Sequence, residues 1–140
     1  MSRKKSREYA FRLVFEKFFH EPELDVEFAD DEFVVDDNDR DFVNELLTGV
    51  NSHYDEILGI VKENLVGYEL ERVYKIDLAI LMIASYEILF CEDIPDKVSV
   101  NEAVEIAKIY STDNSPSFIN GVLAGVIRDK EELLNERNAD

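Results

Sequence analysis

Apolar residues recur at three- and four-residue spacing along most of this chain, and the alternation of a half-buried strand is found nowhere in it. The first run, from about Ser6 to His20, sets Ala10, Leu13, Val14 and Phe18, joined by Phe11 and Phe15, on one broad face of an amphipathic helix. From Asp39 a second face is made by Phe42, Val43, Leu46, Leu47 and Val50, and a third by Tyr54, Ile57, Leu58, Val61 and Leu65. Asn51 and Ser52, between these two, either cap a new helix or mark a bend in a longer one, since Gly49 lowers helix propensity at the same place. Gly67 suits a C-terminal stop.

After a short turn at Glu69 to Val73, a nearly continuous apolar stretch from Ile76 to Glu92 reads as a central buried helix, closed off by Pro95. Another helix follows from about Ser99 to Tyr110, with Asn101 and Glu102 placed to cap its first amides. The clearest start signal is Ser115-Pro116, a hydroxyl residue at the N-cap before a proline at the first helical position, with Val122, Leu123, Val126 and Ile127 as the buried face behind it. Gly121 and Gly125 share one side of that helix. Each costs about 1 kcal/mol relative to alanine, and the pair predicts close approach of a neighbouring helix. Six or seven helices with short connections predict an all-α bundle. The segment Glu21 to Asp41 interrupts this order, with eleven acids opposed by Arg40 alone. Its Leu24, Val26, Phe28, Phe33, Val34 and Val35 are too many for a disordered tail, so an acidic loop with a short helical or extended piece is expected.

At 140 residues with 46% hydrophobic residues, the chain suits one domain that buries roughly two thirds of its unfolded surface. The single cysteine, Cys91, excludes an intrachain disulfide and fits a reducing compartment. The longest apolar stretch, Leu78 to Cys91 with Glu87 inside it, is too short for a comfortable membrane span.

Charge changes the picture at one end. The net charge is −17, yet Arg3, Lys4, Lys5, Arg7 and Arg12 stand within the first twelve positions against Glu8 alone, giving +4 there and −21 over the rest. Cations at a helix start oppose the positive end of the helix dipole at a cost of roughly 0.3–1 kcal/mol each, so stability does not select them. They point to an anionic partner, nucleic acid first. Two other readings fit the same residues. One is a frayed, solvated start without a role; the other is a helix lying on anionic lipid, which Glu8, Glu16 and Glu21 oppose.

Catalytic patterns are missing from the sequence. His20 and His53 lie in unrelated segments without a repeated metal-ligand spacing and are expected at the surface. Glu92 and Asp93 beside Cys91 raise its thiol pKa, against a nucleophilic role. No glycine-rich phosphate loop is present. Glu87 stands out among Ile83, Ala84, Ile88 and Leu89. It is either an ordinary outward position at the edge of the bundle or a group that orients a polar neighbour or a protein partner.

The stretch IDLAILMIASYEILFCEDIPDKVSVNEAVEIAKIYSTDNSPSFINGVL, Ile76 to Leu123, resembles the C-terminal half of the NusB transcription antitermination family. Its anchors are Tyr86-Glu87, Ile94-Pro95, Asn101-Glu102-Ala103-Val104-Glu105 with Ala107-Lys108, and Phe118-Ile119-Asn120-Gly121-Val122-Leu123. The opening SRKKSREYAFRLVF is similar to that family's basic first helix, with a looser match through Phe42 to Gly49. The resemblance implies a NusB-like fold of two small helical subdomains, with no catalytic residues, cofactor or metal, in the bacterial cytoplasm. It implies a role in antitermination of ribosomal RNA operons, binding boxA-type single-stranded RNA with the ribosomal protein NusE in a transcription elongation complex. By the same resemblance the RNA-binding residues are Arg3, Lys4, Lys5, Arg7 and Phe118, and Glu87 is a contact for the partner protein.

The chain departs from the family pattern at Met82, Phe90 and Cys91, where basic residues are frequent, and its acidic segment is abbreviated. Four phosphate contacts give a salt slope of about −2.8, roughly a fifty-fold loss between 50 and 200 mM salt. That is a modest grip for a body of the same sign as RNA, so a basic protein covering part of the acidic surface is expected to complete it. Two rivals remain at this point. One is an RNA-binding module of an RNA methyltransferase, which needs a further catalytic domain that this length does not hold. The other is a helical protein-binding adaptor with an incidental basic end. Exposed apolar helix faces also permit a homodimer of the free protein.

Overall fold

A computed structural model of the chain describes residues 3–19 and 37–139. His20 and residues 21–36 of the acidic segment lie outside the described residues, while the end of that segment, from Asp37 to Asp41, is helical and opens α2. Six α-helices and two short helical turns make up the described fold: α1 (Arg3–Val14) with a π-helical turn (Phe15–Phe19), α2 (Asp37–Ser52), α3 (Tyr54–Glu63), a 3-10 turn (Leu70–Arg72), α4 (Lys75–Phe90), α5 (Asp96–Tyr110) and α6 (Ser115–Ala139). No strand occurs among the described residues.

The architecture follows from α4, which is apolar all round and therefore has to be covered on every side. Every residue from Asp77 to Ile88 is buried. Helices α5 and α6 pack on each other and on α4, forming one helical group. Helices α1 and α2 with the π-turn form a second group against the same helix, and α3 bridges α4 to α6. One apolar core joins both, running from Phe11 and Phe15 through Leu46, Ile57, Leu81 and Met82 to Ile119 and Leu123.

Gly49 does not break α2. The helix runs on to Ser52, and His53 N still reaches Gly49 O at 3.0 Å, so Asn51 and Ser52 belong to α2 while the bend falls at His53. The glycine answers to packing instead, because a Cβ there falls on the Tyr86 ring. Helix α3 stops short of Gly67, at Glu63 with Asn64 as its C-cap, and Gly67, with φ of +81°, belongs instead to the turn that follows, where Tyr68 N bonds to Leu65 O at 3.3 Å.

Helix α5 starts earlier than the sequence suggests. Pro95 is its N-cap in extended geometry, and Val98 N bonds to Pro95 O at 2.9 Å, which leaves Asn101 and Glu102 in the second turn rather than at the cap. Ser115 is likewise the first residue of α6 rather than the residue before it. Its hydroxyl accepts from Thr112 N and donates to Asp77 Oδ2 at 2.9 Å, serving a tie to α4 in place of the helix's own amides. Of the two α6 glycines, Gly125 meets Asn64 at a distance no Cβ allows, whereas Gly121 faces open space.

Candidate nucleic-acid interface

The first two turns of α1 sort the N-terminal cations by helical position. Arg7 shares a side with Ala10, Phe11 and Val14 and is buried with them, while Arg3, Lys4 and Lys5 are exposed. Burying Arg7 demands an ion pair, and Glu87 supplies it. Arg7 Nε donates to both Glu87 oxygens at 2.9 and 3.1 Å, and Ser99 Oγ donates to Oε1 at 3.2 Å. Glu87 is 1% exposed, so it neither points outward nor presents a surface to a partner; it orients Arg7. Burial pushes its carboxyl above the usual range, against the opposing pull of Arg7 and Ser99.

Two of the exposed cations, Arg3 and Lys5, are tethered to the body. The Arg3 guanidinium sits 4.0 Å above the Phe42 ring centroid, a cation–π contact to α2. Lys5 Nζ pairs with Glu8 at 3.5 Å. Glu8 in turn accepts a hydrogen bond of 2.5 Å from Tyr110 Oη at the end of α5. The next residue, Ser111, donates to Asp77 Oδ1 at 2.6 Å. Through the adjacent Tyr110 and Ser111 these contacts lead from Lys5 to the junction between α4 and α6.

At that junction lies an open groove of about 670 Å³, lined by the turn before α4 and the first turns of α6. Phe118, half-buried, forms part of its wall and meets Tyr68 edge-on, the centroids 5.0 Å apart. Val66, Tyr68 and Tyr74 are 85, 60 and 62% exposed, and all three line the groove. Asp77 sits beneath with both carboxylate oxygens bonded to Ser111 and Ser115, its pKa raised by burial and lowered in part by those hydroxyls.

The structure thus gathers Phe118 with Tyr68 and Tyr74, two residues that sequence reasoning missed. Both stand in the turn between α3 and α4, where no helical period singles them out. The only signal is two tyrosines flanking a polar turn, an expensive arrangement for side chains left in water.

Cys91 and His53 lie at the opposite end of α4. Burial, then Glu45, Glu87 and Asp93, pushes the Cys91 thiol up to about 11. His53 is partly exposed and stacks on Phe90 at 4.1 Å between centroids. Among the described residues no group of three His, Cys, Asp or Glu side chains is placed to hold a metal ion, and no helix is long and apolar enough to cross a membrane.

Residues 4–128 match the model of the NusB family. The chain is 44% identical to the transcription antitermination protein NusB of Clostridium novyi, over 91% of this chain and 99% of that one. It is 40% identical to the protein of the same name from Finegoldia magna, over 94% and 97%. A solved structure of T. maritima NusB superposes with a TM-score of 0.77 at 28% identity, covering 94% of this chain and 98% of that one. The two-group helical fold and these matches agree, and the chain belongs to the NusB family.

Proposed function

We propose that this protein acts in transcription antitermination as one helical RNA-binding unit, holding boxA-type single-stranded RNA together with the ribosomal protein NusE in an elongation complex. The observation that carries the reading is the contact series from Lys5, which is exposed beside Arg3 and Lys4, through Glu8 and Tyr110 and from the next residue, Ser111, to Asp77 at the Phe118 groove. It gives a single strand phosphate partners at one end and an aromatic face at the other. The names of the relatives support the antitermination role. Arg7 and Glu87 act beneath this surface, pinning the start of α1, which carries the three exposed cations, to α4.

The acidic remainder of the chain repels RNA at short range and attracts a basic protein, so the two ligands bind better together than apart. The test is an RNA titration with and without the ribosomal partner, for the native chain and for R3A/K4A/K5A. The expected outcome is weak binding alone, firm binding with the partner, and loss of both in the variant. Unchanged RNA affinity in the variant sinks the proposed site.

A further inference from the structure

Helix α4 is buried without a break from Asp77 to Ile88, yet its last residue, Phe90, is 37% exposed. The ring is held in place. It stacks on Tyr86, one turn back, at 5.5 Å between centroids and on His53 at 4.1 Å, so α4 ends in a small aromatic platform whose outer members, Phe90 and His53, reach solvent. A single exposed ring needs no explanation by itself; what sets this one apart is its surroundings.

Four exposed carboxylates come to this end of α4 from three parts of the chain. Glu45 of α2 lies against Cys91, with Oε1 3.9 Å from Sγ, and Glu56 of α3 lies 3.4 Å from His53 Nδ1. Glu92 and Asp93 follow α4 directly. After burial, Glu45 and Asp93 are among the charges that push the Cys91 thiol up to about 11, so their fields overlap here. Among the described residues no lysine or arginine pairs with any of the four, and no group of three such side chains is placed to hold a metal ion. Negative charge without a counter-ion beside a flat π-surface is complementary to a cation that is itself flat. Guanidinium fits, because it stacks on aromatic rings and forks to carboxylates where an ammonium makes a point contact. The same carboxylates repel RNA, so the occupant is a protein.

We infer that the Phe90–His53 platform docks an arginine side chain from a basic segment of a second protein, the guanidinium lying on the exposed aromatic surface and its charge met by Glu45, Glu56, Glu92 and Asp93. The inference stands apart from the RNA-binding reading, since the platform and the Phe118 groove lie at opposite ends of α4. The two halves of the platform contribute differently: the carboxylates select a cation, and the rings favour a planar one.

The experiment titrates the isotope-labelled full chain with the end-blocked peptide Gly-Arg-Gly-Arg-Gly, and with the same peptide carrying lysine or citrulline in place of arginine, reading amide shifts by NMR. The arginine peptide is expected to shift amides around Glu45, His53, Phe90 and Asp93 in the millimolar range. The lysine peptide is expected to bind more weakly, and the citrulline peptide, which keeps the shape and loses the charge, not at all. F90L, which stays apolar but lacks the ring, is expected to weaken arginine binding about 2- to 5-fold, the worth of one exposed cation–π contact. E45Q/E92Q/D93N is expected to abolish it. All four substituted positions are exposed, and thermal melting checks that both variants keep the native fold.

Citrulline binding equal to arginine, shifts scattered over the acidic surface without a focus at the end of α4, or full arginine affinity in F90L overturns the platform. Absence of shifts with every peptide overturns it as well. RNA affinity is expected to stay native in F90L; a loss there places RNA on the platform and overturns the protein contact.

Discussion

Arg7 Nε lies 2.9 and 3.1 Å from the two carboxylate oxygens of Glu87, tying the first helix to the central one across 80 positions of chain. Both side chains are almost wholly buried, so removing one leaves the other without its counter-charge. E87A is expected to cost about 3–5 kcal/mol in urea unfolding. R7M/E87M removes both charges and is expected to cost much less than the sum of the two single changes. A double variant as unstable as that sum counts against the pair as a coupled unit.

Gly49 and Gly59 offer a paired test of packing. A Cβ at Gly49 strikes the Tyr86 ring, while at Gly59 it meets nothing within 4 Å. G49A is expected to destabilise by about 1–3 kcal/mol through overpacking. G59A, in the interior of α3, is expected to stabilise by about 0.5–1 kcal/mol through helix propensity. Both are read from thermal or urea unfolding, and equal signs for the two overturn the account.

The helices themselves were legible because a 3.6-residue period survives even where helix boundaries shift. The starts of α5 and α6 moved because Pro95 serves as a cap and because Asp77 claims the Ser115 hydroxyl, a tertiary demand that local spacing does not carry. Arg7 shows the same limit at the site. Counted by charge it belongs with Arg3, Lys4 and Lys5; counted by position it falls three, four and seven residues before Ala10, Phe11 and Val14, on the buried side. Helical position wins, since a buried cation with Glu87 and Ser99 around it has no need of a phosphate. Tyr68 and Tyr74 were illegible for the opposite reason: they belong to a turn without a period, and only the fold brings them to Phe118.

With Arg7 occupied internally, three cations face solvent at the start of α1. Three phosphate contacts to a single strand give a slope of log affinity against log salt of about −2.1, roughly a twenty-fold loss from 50 to 200 mM. Each of R3A, K4A and K5A is expected to make the slope shallower by about 0.7, measured by RNA titration at four or more salt concentrations. A slope near −2.8 that R7A lowers would return Arg7 to the RNA surface.

Cys91 is buried, and its Sγ lies 3.9 Å from Glu45 Oε1. Its thiol, ordinarily at 9.0, is pushed to about 11 first by burial and then by Glu45, Glu87 and Asp93. At pH 8 the thiolate fraction is therefore about 100-fold below that of an ordinary cysteine. Alkylation by iodoacetamide is expected to be slower by at least about that factor in the folded protein and to recover in urea. Rapid alkylation of the folded chain at pH 8 contradicts the burial of this thiol.

Asp77 gives the stability of the protein a pH dependence of definite sign. Burial raises its carboxyl above the ordinary 3.8, and the Ser111 and Ser115 hydroxyls lower it only in part. A group whose pKa is higher folded than unfolded binds its proton more tightly in the native state. Its stabilising contribution is therefore complete below about pH 3.8 and is lost as pH rises through the folded value. D77N removes this titration while an amide remains to hydrogen-bond the two serines. In urea unfolding from pH 4 to 8, the native chain is expected to lose ground steadily to D77N as the pH rises, the difference levelling once Asp77 is fully ionised. A difference that moves the other way means that the hydroxyls and the first turn of α6 favour the carboxylate more than burial disfavours it.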